Sequence, residues 1–167
     1  MLPIRLALAA ALSALVAAPA ALADPVPRGS VAFLGLYLMN NPGDPDESDE
    51  RARLAAMQAQ IAADLTARGF TLIDTAPVAE RLAAVKNIAD CNGCDLKIAA
   101  DLGADYAVVG EVQKTSELIL SLNLFLRDVQ ARRNLRQGAV DIRGNTDESW
   151  SRGYRYLLKN IIFKGES

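Results

Sequence analysis

Cys91 and Cys94 are the only cysteines of the chain, and they stand three apart in Cys91-Asn92-Gly93-Cys94. In an oxidising compartment two thiols at this spacing close on each other as a local disulfide. A helix predicted from Asp95 would place its N-terminus beside Cys94 and lower that thiol's pKa, which is how a thiol–disulfide oxidoreductase is arranged. A zinc site would need further ligands, and the chain has no other cysteine and no histidine. The surroundings differ from those of a thioredoxin-like pair, which follows a strand and faces a cis-proline. Here a helix end precedes the pair, and no proline follows Pro77. Closing so small a ring is worth about 2 kcal/mol in loop entropy. A structural bond and a redox pair remain the two readings.

A second group offers oxygen rather than sulfur. Asn40, Asn41, Asp44, Asp46 and Glu47 lie in the run Met39–Ser48 (MNNPGDPDES), followed at once by Asp49 and Glu50. Loops at the carboxyl ends of parallel strands are where open α/β sheets take ligands, and oxygen-rich loops suit hard cations. An EF-hand register is missing, because Ala55 stands eleven positions after Asp44 where the bidentate glutamate belongs. The same acids also favour the N-terminus of the helix that follows. A third group, Arg127, Arg132, Arg133, Arg136 and Arg143, is a basic stretch near a hairpin turn, either solvated or facing an acidic partner or anionic lipid.

What is missing narrows the chemistry further. With no histidine, Ser-His-Asp and Cys-His nucleophile pairs and histidine proton transfer are excluded. No phosphate-cradling or cofactor loop occurs, so no cofactor is expected. Arg5 followed by the apolar run Leu6–Val16 and the small-x-small sequence Ala21-Leu22-Ala23 reads as a signal peptide cleaved after Ala23. That run is too short for a good membrane span, so stable membrane insertion is not expected. Removing residues 1–23 takes away only Arg5 among charged residues and moves the net charge from −2 to −3. A weakly acidic surface speaks against nucleic acid as a partner. The expected organisation is a signal peptide at 1–23 and a single α/β domain at 24–167, in the periplasm.

The elements that must position these groups follow from apolar spacing. Ser30–Leu38 reads as a strand buried on both faces. From Asp49, Leu54, Met57, Ile61 and Leu65 make one helical stripe that ends at Gly69. Phe70–Asp74 is a second short strand. Thr75 is placed to cap a helix whose first turn takes Pro77, with Val78, Leu82 and Val85 inward. A short helix spans Asp95–Leu102, and Tyr106–Thr115 is the third strand. After a turn at Ser116-Glu117, Leu118, Leu120, Leu122, Leu124 and Leu126 alternate on one face of a fourth strand. Leu135–Arg143 is the fifth. Asn145 starts the last helix, with Glu148 completing a capping box and Trp150, Tyr154, Leu157, Leu158, Ile161 and Ile162 inward. The predicted class is α/β, with a mixed five-stranded sheet in the element order β-α-β-α-α-β-β-β-α and helices packed on it.

The stretch from Ile98 through Leu102-Gly103-Ala104-Asp105 and the strand to Gly110-Glu111-Val112 resembles a pattern in exported bacterial domains. These are the amino-terminal domain of TolB, the curli-assembly CsgG family and related outer-membrane-associated accessory proteins. Leu118–Val129 (LILSLNLFLRDV) is similar to their second hairpin strand, and Val31-Ala32-Phe33 to their opening strand. The whole chain looks most like small exported proteins of unknown function with this architecture. The resemblance implies an anticodon-binding-like α/β fold used as a protein-interaction module, with no catalytic residues. It also favours a structural disulfide, since related domains often carry a cysteine pair before this helix. The chain lacks TolB's propeller repeats and the lipidation cysteine and transmembrane hairpins of the curli pore. The expected function is a non-enzymatic periplasmic module that docks to another envelope protein. The alternatives are a thiol–disulfide protein using Cys91 and Cys94, and a small-ligand or cation sensor.

Overall fold

The computed structural model describes residues 24–40 and 48–166. The predicted leader and Asn41, Asp44, Asp46 and Glu47 lie outside the described residues. In chain order the elements are β1 (Ser30–Met39), α1 (Ser48–Ala67), β2 (Thr71–Leu72) and a 3-10 turn (Ala76–Val78) that runs into α2 (Ala79–Ala83). Then come α3 (Cys94–Asp101), β3 (Tyr106–Ser116), β4 (Ile119–Asp128), β5 (Arg133–Arg143) and α4 (Asp147–Leu157), which ends in a π-helical turn, Leu158–Ile162. The sheet order is β2-β1-β3-β4-β5. β1 runs parallel to β2 and β3, and β3, β4 and β5 form an antiparallel meander. This is the mixed five-stranded α/β sheet that the apolar spacing predicts.

A bulge in β1 decides which side chains face which layer. Phe33 pairs with Val108 but Leu36 with Gly110, so β1 carries one residue more than β3 across that step. Gly35 adopts φ +101, and a Cβ there would lie 2.8 Å from Gln58 Oε1. Gln58, on α1, accepts the Leu36 N–H at 3.0 Å and so satisfies a donor that the bulge takes out of the ladder. An extra residue reverses side-chain parity. Leu36 and Leu38 therefore join the core under α1, while Tyr37 and Met39 turn to the opposite face.

The first face is fully roofed. Val31, Val108, Val112, Leu120, Leu122, Leu124, Leu126 and Ile142 meet Met57, Ile61 and Leu65 of α1 and Trp150, Tyr154 and Leu157 of α4. The π turn continues that stripe with Leu158 and Ile162 and brings Phe163 in beside them. Burying each large side chain stabilises by roughly 1.5–3 kcal/mol before entropy. The second face packs Ala32, Leu34, Ala107 and Val109 against Val78, Ile88, Leu96, Ile98 and Ala99, so the α2–α3 layer covers only its amino-terminal half.

Four local expectations change. The last helix is capped by Thr146, whose Oγ1 accepts the Ser149 N–H at 3.2 Å, because Asn145 is committed to other partners. Thr75 makes no side-chain cap; Asp74 Oδ1 accepts the Ala76 N–H at 2.9 Å instead. The first hairpin turns at Glu117-Leu118 rather than Ser116-Glu117, which leaves Leu118 71% exposed instead of on the core face. The second strand is only Thr71–Leu72 rather than Phe70–Asp74.

Candidate functional site

At the carboxyl ends of β1 and β3, the unroofed half of the second face presents two cross-strand rows. One is Tyr37–Glu111–Asn123–Ala139 and the other Met39–Gln113–Ser121–Asp141. All eight are half-buried or exposed, and Met39 is among the most exposed large apolar side chains. Where these rows meet the α2–α3 segment there is a crevice of about 360 Å³, lined by Met39, Glu111, Gln113 and Phe125 from the sheet and Asn87, Asp90 and others from the loop. Asn87 Nδ2 donates to Glu111 Oε2 at 3.0 Å, and Asn87 Oδ1 accepts the Ala89 N–H at 2.9 Å, so the amide is fixed from both sides. After β1 the chain crosses the first face through α1; after β2 it crosses the second through α2 and α3. The crevice lies over β1, β3 and β4 toward the carboxyl ends of the parallel strands, the end at which open α/β sheets take ligands. Its groups are carboxylates, amides, an aromatic edge and the Arg127 guanidinium, which suits recognition by hydrogen bonds. Half-buried Asn40 follows β1 directly at this end.

Behind the rows, on the roofed face, is a charged cluster that residue spacing does not signal. Lys114 is 4% exposed and its Nζ donates to Glu50 Oε1 at 2.9 Å and to Glu117. Asn145 Nδ2 donates to Glu50 Oε1 at 2.7 Å and to Glu117 Oε2 at 3.2 Å, while its Oδ1 accepts from Trp150 Nε1 at 3.0 Å. Arg53 closes the group through Asp147 Oδ1 at 2.8 Å. The start of α1, the first hairpin turn and the start of α4 are thus tied together. The hydrogen bonds to Glu117 and then Glu50 hold the Lys114 ammonium above its ordinary pKa, although burial opposes them. An amine held that way has no free lone pair, so it cannot act as nucleophile or base. Burial would raise the Glu50 carboxyl, but hydrogen bonds from Lys114 and Asn145 outweigh it and hold the group below its usual range.

Cys91 and Cys94 are joined, with Sγ–Sγ 2.05 Å, and both are half-buried beside the second core. The segment that carries them is fastened to the sheet by Arg127. Its Nη1 donates to fully buried Asp95 at 2.6 Å, its Nη2 to Ala89 O at 2.9 Å, and its Nε to Asn134 at 3.0 Å. Its guanidinium lies 5.0 Å from the centre of the Phe125 ring. Asp95 Oδ1 is 3.9 Å from Cys91 Sγ. Neither cysteine lines the crevice. Arg136, from the same basic stretch as Arg127, is also engaged, donating to the Asp24 carbonyl. Among the described residues no group of three or more acids or cysteines is gathered to hold a metal.

A family model described as "Protein of unknown function (DUF2380)" matches residues 29–162. No curated protein matches the chain in sequence. Of the solved structures, the C-terminal domain of LpoB from Salmonella enterica is similar with a TM-score of 0.53 and 16% identity, over 72% of this chain and 87% of that one. Lipoprotein GNA1162 from Neisseria meningitidis follows at 0.50 and 22%, over 70% and 81%. TolB from Acinetobacter baumannii reaches 0.39 at 15% identity, over 83% of this chain and 30% of that one, too loose a likeness to argue from. At these identities the likeness is one of fold.

Proposed function

We propose that this chain, which belongs to the family described as "Protein of unknown function (DUF2380)", is a non-enzymatic module of the cell envelope that docks to another envelope protein. The observation that carries the reading is the unroofed half of the sheet, where a crevice and two rows of polar side chains stand at the carboxyl ends of the parallel strands while the opposite face is fully packed. A rigid, polar, partly apolar surface of this kind suits recognition and offers no activated nucleophile. The leader-like run before Asp24 supports placement in the periplasm, and one similar fold is a lipoprotein by name. The free edge of β5 is a second feature on which a partner strand would pair.

Photo-crosslinking amino acids placed in living cells at Gln113, Ser121 or Asp141 test the reading, with Lys97 on α3 as the reference position. The expected result is one discrete adduct from the sheet positions and none from Lys97, unchanged when Cys91 and Cys94 are both serine. Adducts equally frequent from all four positions, or none at all, would end it. Loss of the adduct in the serine variant would instead favour the thiol–disulfide reading.

A further inference from the structure

We propose that the pole where the chain enters the domain rests on the surface of a bilayer containing anionic phospholipid, held there by Lys159 and Lys164 with Arg28 and Arg68 beneath them.

The charge distribution is the first observation. From Ser149 to Gly165 the chain carries Arg152, Arg155, Lys159 and Lys164 and no acid, in a protein whose net charge is −2. The four cations are exposed, because the opposite side of the helix is the apolar stripe buried on the sheet. Lys159 and Lys164 join Arg28, Arg68, Pro25 and Tyr156 in lining an open cleft of about 1020 Å³.

The second observation is how those cations are committed. Arg28 pairs with Glu166 at 2.9 Å and lies over the Phe70 ring at 4.9 Å. Arg68 pairs with Asp64 at 2.6 Å and lies over Phe163 at 4.6 Å. Each guanidinium therefore already has a carboxylate and an aromatic ring as partners, and both line the cleft. Lys159 and Lys164 pair with no described carboxylate. They are hydrated point charges on flexible stems, which suits a diffuse layer of headgroups better than a shaped acidic partner. Tyr156 is 52% exposed beside them, an amphipathic ring of the kind found at headgroup depth.

The third observation is orientation. Pro25 lines this cleft, so the described chain starts at this pole. At the far end of β1 and β3, about 33 Å away at 3.3 Å per residue, stand exposed Asp49, Glu117, Asp147 and Glu148, which share the cations Arg53, Lys114 and Arg152, together with exposed Asp141. A negative surface attracts one pole and repels the other, so it both binds the domain and turns it. The rows Tyr37–Ala139 and Met39–Asp141 would then point away from the bilayer. The contact is peripheral, since no described helix is long and apolar enough to cross a membrane.

Sedimentation of the chain as purified with mixed phosphatidylethanolamine–phosphatidylglycerol vesicles, and with pure phosphatidylcholine vesicles, tests this. Binding is expected to the phosphatidylglycerol mixture only and to weaken as salt is raised. Lys159→Ala with Lys164→Ala should weaken partitioning about 30-fold, about five-fold per cation. Lys159→Arg with Lys164→Arg should keep it, as should the control pair Lys86→Ala and Lys97→Ala. All these positions are exposed, and an unchanged melting transition verifies that each variant folds. No phosphatidylglycerol-dependent binding at low salt, or equal loss in the alanine and control pairs, overturns the proposal. So does salt-sensitive binding of soluble polyglutamate by a chain that leaves vesicles alone, which would assign the face to an acidic protein. Vesicle binding that survives Lys159→Ala with Lys164→Ala overturns it too.

Discussion

The two faces of the sheet are built on different terms. On the first, α1, α4 and the π turn set Trp150, Tyr154, Leu157, Leu158 and Ile162 against the even-numbered leucines of β4, and these helix residues are at most 1% exposed. On the second, the α2–α3 layer stops at Asn87 and Glu111, beyond which polar residues stand in the open. Both faces also bury a charged pair. Lys114 with Glu50 lies at the rim of the packed face, and Arg127 with Asp95 lies under the thinner layer. The packed face supplies stability and the half-open face supplies a surface that can change without unfolding the rest. A sheet stabilised from one side is free to present the other.

Four variants test that division, from the largest effect to the smallest. Trp150→Ala removes the largest fully buried side chain and one donor to Asn145 Oδ1, so a loss of about 4 kcal/mol is expected in denaturant titrations. A loss below half of that would mean that α4 matters less than the packing indicates. Lys114→Ala leaves Glu50 buried without its cation and should cost about 3 kcal/mol at neutral pH.

The pH dependence of that second variant carries a sign. Glu50 and Glu117 are held below their ordinary value of 4.5, so their contribution is present above it and is lost as pH falls through the folded pKa. Lys114 is held above its ordinary value of 10.5, so its contribution is complete below that value and is lost only as pH rises through a higher folded pKa. Stability of the intact chain should therefore drop below about pH 4.5, as measured by urea midpoints, and Lys114→Ala should flatten that acid limb. An unchanged acid limb would place the cluster outside the folding balance.

Replacing Cys91 and Cys94 by serine should cost about 2 kcal/mol, less than either change on the packed face, with Arg127 and Asp95 still holding the loop. A loss as large as that of Trp150→Ala would show the thinner layer to be an equal partner. Gln113→Ala with Asn123→Ala should shift the melting transition by no more than about 0.5 kcal/mol. The same pair should weaken any crosslink formed at Ser121. A large thermal effect there would contradict the picture of an open surface.

Much of this was legible in the sequence because apolar spacing changes period with each element. The order of elements and the helix stripes follow from local runs, and so does the core role of Trp150 and Tyr154. Leu118 was misplaced for the same reason: its parity matches Leu120 to Leu126, and alternation alone does not reveal that the two-residue turn begins at Glu117. Thr146 and Asn145 are both good helix caps, and only the distant Glu50 and Trp150 decide which one is free to cap. The Lys114 cluster gave no signal, since its members come from three elements and a lysine in the polar half of a strand reads as solvated. Arg127 looked like one cation in a basic stretch, yet its position opposite Ala107 aims it at Asp95. The crevice was half-legible. Carboxyl ends of parallel strands are the expected place, but Tyr37 and Met39 stand beside Glu111 and Gln113 only because the bulge at Gly35 shifts the parity of β1.

The meeting of the two described ends has one more consequence. Val26 N–H donates to Glu166 Oε1 at 2.9 Å while Arg28 grips the other carboxylate oxygen. A short linker could therefore join the ends without stretching either, and the loop so closed could be reopened at the exposed Glu117-Leu118 turn. Such a circular permutant should keep the same sheet with its start and finish transferred to the acidic pole. The fold is closer to a ring with a chosen cut than to a thread with two ends.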